Sequence, residues 1–300
     1  MKEPVGLFTP CDWLTMWEGY RETKPKRHNH EPGVKYWKRL AERSEDMHEK
    51  AARTERANRV LSFIERTFPL TPGICVLDVG AGDGTLSIPL AQKGVKVTAL
   101  DVTSDTLEVL EKKARLAQVH IETVCADWRE IDLHQYNWTK EFDLVIASHT
   151  AAVSTQANFF KLEEASRDAV YYASFTKPHH NHFQDVLWPK IIGEEIAKLN
   201  YGVYFVFNWL YARGIIASVE EFTIQFQKTE EFMEVLKEFY EYYSIFTDLT
   251  QERKQIIEQV VYDKAKNGMV TRPIKMTTGS MIWHVNSAND DRMHTEGSTK

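Results

Sequence analysis

Residues 74–84 read ICVLDVGAGDG. The opening ICVLDV is an almost uninterrupted apolar run, which suits a central strand of a parallel sheet covered on both faces. Asp78 stands near its end, and Gly80, Gly82 and Gly84 follow at alternate positions around Ala81. Glycines so spaced permit a tight turn and bring a ligand close to the backbone at the start of the next helix. The preceding FPLTPG, 68–73, has two prolines and a glycine that end a helical pattern, so the sheet begins here.

The alternation continues downstream. VKVTALD (95–101), VHIETVCAD (119–127), FDLVIAS (142–148) and DAVYYASF (168–175) read as further strands. TLSIPLAQKG (85–94) and SDTLEVLEKKARLAQ (104–118) read as helices, the second with Ser104 as N-cap. Beyond Phe175, 180–200 reads as a helix interrupted by proline, while the aromatic 201–215 fits helix or strand. IIASVEEFTIQFQ (215–227) contains a strand, 229–244 and 251–266 are acidic amphipathic helices, GSMIWHV (279–285) is a last strand, and 286–300 is a loose tail. Strands joined by helical crossovers predict an α/β fold: a doubly wound, mostly parallel, seven-stranded Rossmann-like sheet with an aromatic-rich C-terminal elaboration.

Upstream, DWLTMWEGY (12–20) fits a short helix, and apolar positions recur at loose helical spacing from Tyr36 to Ile64. The expected division is a helical lid over 1–60 and a main domain over 61–300. Asp and Glu number 43 against 37 Lys and Arg, a net charge of −6, so no global positive field draws in a phosphate backbone and a nucleic-acid partner is not expected. The basic KPKRHNH (24–30) reads as a surface turn, with an anionic-substrate contact as the alternative. Cys11, Cys75 and Cys125 lack CxxC spacing and suit buried free thiols in a reducing compartment. Neither a secretory signal nor an uninterrupted membrane-length run is evident, so a cytoplasmic location without a membrane partner is expected.

The run Asp78–Gly84 matches Asp-x-Gly-x-Gly-x-Gly and resembles the signature of class I S-adenosylmethionine-dependent methyltransferases; the likeness covers residues 60–175. It implies S-adenosyl-L-methionine as cofactor, with Asp78, Gly80, Ala81, Gly82 and Gly84 around its methionine and ribose portions. Asp101 ends the second strand, where a carboxylate accepts both ribose hydroxyls; Val102 beside it and Ser148 at the end of the fourth strand are assigned to the same site. Asp127 matches the family's adenine-facing acid, and Trp128 is expected to stack on the base or else to cover the core. A nicotinamide dehydrogenase would need GxGxxG, but position 85 is not glycine; a P-loop would need GK[ST].

Methyl transfer needs alignment and a dry pocket, and a base only when the acceptor's pKa is high. The loop IASHTAAVST, 146–155, lacks the Asp/Asn-Pro-Pro-Tyr/Phe motif of amino-group methylation and the Pro-Cys pair of cytosine C5 methylation. His149 in this loop is the candidate catalytic residue, with a packing role as the alternative. His179, His180 and His182 are weighed as solvated residues, substrate contacts or zinc ligands, and no metal site is assigned. Trp13, Trp17, Tyr20, Trp37 and the 204–211 aromatics offer pocket walls or simple core cover. The reading is transfer to a small-molecule methyl acceptor by a monomer or homodimer. Protein or RNA methylation and a non-catalytic cofactor-binding role are the alternatives.

Overall fold

The computed structural model describes residues 9–22, 36, 47–153, 155–177, 182–195 and 202–285. In chain order these form α1 (Pro10–Glu22), α2 (Met47–Glu65), β1 (Cys75–Val79), α3 (Ser87–Gln92), β2 (Lys96–Asp101), α4 (Ser104–Leu116), β3 (Glu122–Cys125) and β4 (Phe142–Ser148). There follow α5 (Gln156–Ala165), β5 (Ser166–Phe175), α6 (His182–Ile192), α7 (Gly202–Ala212), β6 (Ser218–Glu231), α8 (Phe232–Ser244), α9 (Gln251–Tyr262), β7 (Ala265–Lys266) and β8 (Met269–His284).

The main sheet has the order β3-β2-β1-β4-β5-β8-β6, with the two-residue β7 attached to β8. The first five strands are mutually parallel, and β8 runs antiparallel to both neighbours. The apolar runs follow from double coverage. Val76, Leu144, Ile146, Ala169 and Tyr171 enter one buried cluster with α2, α3 and α4. Leu77, Val79, Val145, Ala147, Val170 and Tyr172 enter the other with α5 and α7. Helix α2 spans residue 60, so the expected boundary there falls inside one continuous helix.

Several expectations need correction. The cap position of α4 is Thr103, whose side chain makes no capping bond, and Ser104 is the first helical residue. Cys11 and Cys125 are exposed and Cys75 half-buried, so the free thiols are not uniformly interior. The aromatic 201–215 stretch resolves as helix α7, which buries Val203, Val206, Trp209 and Leu210 on one face. The last strand starts at Met269, ten residues before the expected 279.

That longer strand builds the feature that most changes the picture. β5 stops against β8 at Phe175↔Thr278, but β6 and β8 stay paired from Thr223↔Thr277 to Glu231↔Met269. At about 3.4 Å per residue these nine further pairs make an arm of roughly 30 Å beyond the C-terminal ends of the parallel strands. Pro273 is tolerated in this ribbon because a two-stranded arm has an open edge that needs no N–H. Helices α6, α8 and α9 pack around the arm's far end in a third core that includes Phe183, Leu187, Val235, Phe239, Ile257 and Val270.

Charges inside the arm are paired. Arg272, with a side chain 1% exposed, meets Glu238 at 3.1 and 3.0 Å and also binds Glu230. Lys228 lies 2.8 Å from Glu230, 3.4 Å from Glu238 and 3.7 Å from Glu49 on α2. Helix α2 therefore stands against the arm with its first turn and against the sheet with the rest.

Candidate cofactor and acceptor site

Asp78, Asp101 and Asp127 stand at or just beyond the C-terminal ends of β1, β2 and β3, three adjacent parallel strands. This is the edge of an open α/β sheet where ligands bind. The structure brings these acids and the glycine loop together, with Ser148 ending the neighbouring β4. Val102 follows β2 and is exposed.

Each glycine in the loop answers a different constraint. Gly80, Gly82 and Gly84 all have positive φ, of 74°, 56° and 85°. A Cβ on Gly80 would lie 2.1 Å from Thr150 Oγ1, so Gly80 lets the loop after β4 close over β1. A Cβ on Gly84 would lie 2.9 Å from Leu110 Cγ, so Gly84 admits α4. At Gly82 a Cβ would meet nothing within 4 Å, so there the loop leaves its backbone uncovered. The loop's N–H groups, however, turn inward: Gly80 and Ala81 donate to Leu100 O, Gly84 to Ala81 O and Gly82 to Asp101 Oδ2. With its donors engaged inside the protein, the loop leaves its Cα surface open at Gly82.

Asp101 receives Gly82 N–H on Oδ2 and Thr103 N–H on Oδ1, both at 3.0 Å. A carboxylate offers roughly four lone-pair sites; the Thr106 hydroxyl also lies 3.4 Å from Oδ1, so the remaining capacity is chiefly on Oδ2. The acid thus fixes the glycine loop and the start of α4 while keeping an accepting edge, which fits a hydroxyl of a ribose. Asp78 is only 3% exposed and accepts from Ser87 Oγ at 2.6 Å. Burial raises its carboxyl to about 6 against that hydrogen bond, and the nearby Asp101 charge adds to the rise.

Asp83, inside the same motif, was not singled out from the sequence. It binds Arg53 of α2, Lys113 of α4 at 2.6 Å and the Thr85 hydroxyl at 3.0 Å. Although burial pushes its carboxyl upward, the two cations hold it below the ordinary value. The acid was legible as part of the loop; Arg53, thirty positions upstream, was not.

Asp127 is gripped by Arg129, whose Nε lies 2.9 and 3.0 Å from the two carboxylate oxygens and whose N–H donates at 2.9 Å. The Arg129 hydrogen bond is the largest influence holding this acid below its usual range, and Lys161 contributes. Trp128 differs from the expectation of a stacking ring. Its side chain is 1% exposed and lies in the core with Leu100, Val153 and Phe159, so the indole faces away from any base at this edge.

His149 lies just past β4 with φ of 53°. Its Nε2 is 3.2 Å from the Thr278 hydroxyl and its ring centroid 4.1 Å from that of Phe175. The ring therefore sits where β4, β5 and the root of the arm converge. Helix α1 borders the same side. Trp17 is buried against Phe159, Tyr20 meets Phe205, and Glu18 accepts from Gln156 N–H at 3.1 Å. Trp17 and Trp209 are thus core residues rather than pocket walls, and Tyr204, Phe207 and Tyr211 are exposed on α7. Trp37, the 24–30 stretch and the side chains of the His179, His180 and His182 cluster lie outside the described residues. A groove of about 760 Å³ lies apart from this site, along the outer face of α2 beside Glu220, and contains none of the assigned residues.

Residues 76–182 match the family model described as a methyltransferase domain. That stretch of the chain is a methyltransferase domain. It is 32% identical over 148 residues to an uncharacterised protein of Haemophilus influenzae, covering 48% of this chain and 52% of that one. A tRNA (uracil(54)-C(5))-methyltransferase of Pyrococcus furiosus is 27% identical over 116 residues, 39% of this chain and 27% of the relative. A ubiquinone biosynthesis O-methyltransferase of Pasteurella multocida is 36% identical over 76 residues, 25% and 29% of the two chains. The matches thus span about half or less of these curated relatives. Among solved structures, the magnesium protoporphyrin IX methyltransferase of Synechocystis with bound S-adenosylhomocysteine aligns at 15% identity and a TM-score of 0.48, covering 90% of this chain and 99% of that one. Among the described residues of this methyltransferase-domain protein, no helix is long and apolar enough to cross a membrane.

Proposed function

We propose that this protein transfers the methyl group of S-adenosylmethionine to a small-molecule acceptor. The observation that carries the reading is the set of Asp78, Asp101 and Asp127 at three adjacent strand ends around a loop opened at Gly82. In this reading Asp101 holds the ribose, Asp127 with the backbone at Trp128 faces the adenine, and Val102 covers the nucleoside. Asp78, Gly80, Ala81, Gly82, Gly84 and Ser148 shape the methionine end. When bound, the cofactor supplies an electrophilic methyl group on a sulfonium whose charge is lost during transfer.

The chain's own part is alignment and exclusion of water. His149, held by Thr278 and Phe175 at the junction with the arm, is assigned to orient the acceptor or take its proton. The arm with α6, α8 and α9 forms one side of the acceptor mouth and α1 the other. The similarity to archaeal tRNA methyltransferases favours RNA as a second reading. The net charge of −6 and the absence of cysteine from residues 146–155 favour the small molecule.

The test is calorimetric titration of cofactor-stripped protein with S-adenosylmethionine and S-adenosylhomocysteine, followed by transfer of labelled methyl to a metabolite extract and to total RNA. Saturation near one equivalent and label in the small-molecule fraction are expected. Label in RNA alone selects the second reading, and a folded protein that binds neither ligand overturns both.

A further inference from the structure

Lys161 belongs to α5, a helix fixed by a capping box between Thr155 and Asn158 and by the buried Phe159 and Leu162. Its ammonium donates to three backbone carbonyls of one turn: Trp128 O at 2.9 Å, Arg129 O at 3.1 Å and Ile131 O at 2.8 Å. An ammonium has three N–H donors, and these three acceptors use them all. The turn also closes on itself, with Glu130 N–H and Ile131 N–H donating to Asp127 O. Lys161 Nζ lies 5.5 Å from the Trp128 ring centroid, so the indole fills the space beneath the turn. Asp127 is the first residue of this turn, and its carboxylate faces outward with 23% of the side chain exposed.

We infer that Lys161 is a positioning residue for adenine recognition: by gathering the carbonyls of residues 128, 129 and 131 it sets where the Asp127 carboxylate points. The inference rests on the cofactor reading above. A surface lysine paired with one carboxylate would contribute little. This one is half-buried and gives its donors to three carbonyls gathered in one turn, which its ammonium holds together. Losing it releases the turn and lets Asp127 and Arg129 drift together, while the glycine loop and Asp101, held by their own hydrogen bonds, stay in place. The loss is therefore selective for the base over the ribose and methionine portions.

The experiment compares S-adenosylhomocysteine with S-inosylhomocysteine, in which an oxygen replaces the adenine amino group, by calorimetric titration. The wild-type protein is expected to prefer the adenosyl ligand by at least about tenfold, because the inosyl base offers Asp127 no amino donor. In Lys161→Met that preference is expected to shrink by about fivefold or more, a ratio that general weakening of the fold does not move. Lys161→Arg, which keeps the charge but cannot send three donors to one point, is expected to fall between the two and serves alone if Lys161→Met does not fold. An unchanged ratio in the folded variants overturns the inference. Wild-type protein that binds neither ligand instead overturns the cofactor reading.

Discussion

Replacing Asp78 by asparagine should stabilise the ligand-free protein while weakening its hold on the cofactor. Asp78 is buried, and its carboxyl is raised from 3.8 to about 6, mainly by desolvation. Such a rise corresponds to about 3 kcal/mol against the charged form. Below about pH 4 the folded and unfolded states are both protonated and the cost is absent. Between about 4 and 6 the unfolded chain ionises first, so stability falls as pH rises; above 6 the full cost is present. Asparagine keeps an oxygen that accepts from Ser87 Oγ and never acquires the charge. At pH 8 the variant should be more stable by about 2–3 kcal/mol, a Tm increase of several degrees for a chain of this size, and the gap should close towards pH 4. Thermal unfolding of both proteins across this pH range is the assay, with S-adenosylhomocysteine titration beside it. A variant no more stable than wild type at pH 8, or a gap independent of pH, would refute the desolvation argument.

Asp101→Ala should reduce cofactor affinity by at least about tenfold, since it removes the ribose acceptor and also frees Gly82 and Thr103 N–H; calorimetry giving an unchanged Kd removes the assignment. If His149 is the base, His149→Ala should slow turnover more than it weakens cofactor binding and should flatten the lower limb of the pH–rate profile, whereas identical profiles leave it a packing role. Arg272→Met leaves Glu230 and Glu238 facing Lys228 without the buried guanidinium and should cost about 3 kcal/mol in chemical denaturation, against little change if the network were solvated. Gly80→Ala should impair both folding and cofactor binding, because its Cβ meets Thr150 at 2.1 Å on a backbone with φ of 74°; wild-type binding by a folded variant would show that the loop after β4 yields easily.

The parallel strands were legible because both faces of each are buried, which leaves a nearly continuous apolar signature in ICVLDV or FDLVIAS. The first half of β8 was not. Residues 269–278, MVTRPIKMTT, mix polar and apolar side chains in no regular alternation around a proline, and their strand character comes from pairing with β6 rather than from burial on two sides. At the site, the motif acids were legible as a spaced set on strand ends. What each glycine accommodates was not, because Thr150 and Leu110 reach the loop from distant segments. Trp128 shows the same limit: whether an indole beside Asp127 faces base or core depends on how the turn is wound, and Lys161, which winds it, looks in sequence like any helix-surface lysine.

Helix α2 fastens two distant parts with side chains one turn apart: Glu49 reaches Lys228 on the arm, and Arg53 reaches Asp83 in the glycine loop. Four residues of α-helix measure about 6 Å along the axis and barely stretch. The helix thus acts as a calliper whose jaws rest on the glycine loop and on the arm, the donor and acceptor sides in the function proposed above. A change that slides the arm relative to the glycine loop strains these two ion pairs, so in the proposed function the spacing of donor and acceptor is gauged by a segment that need not touch either reactant.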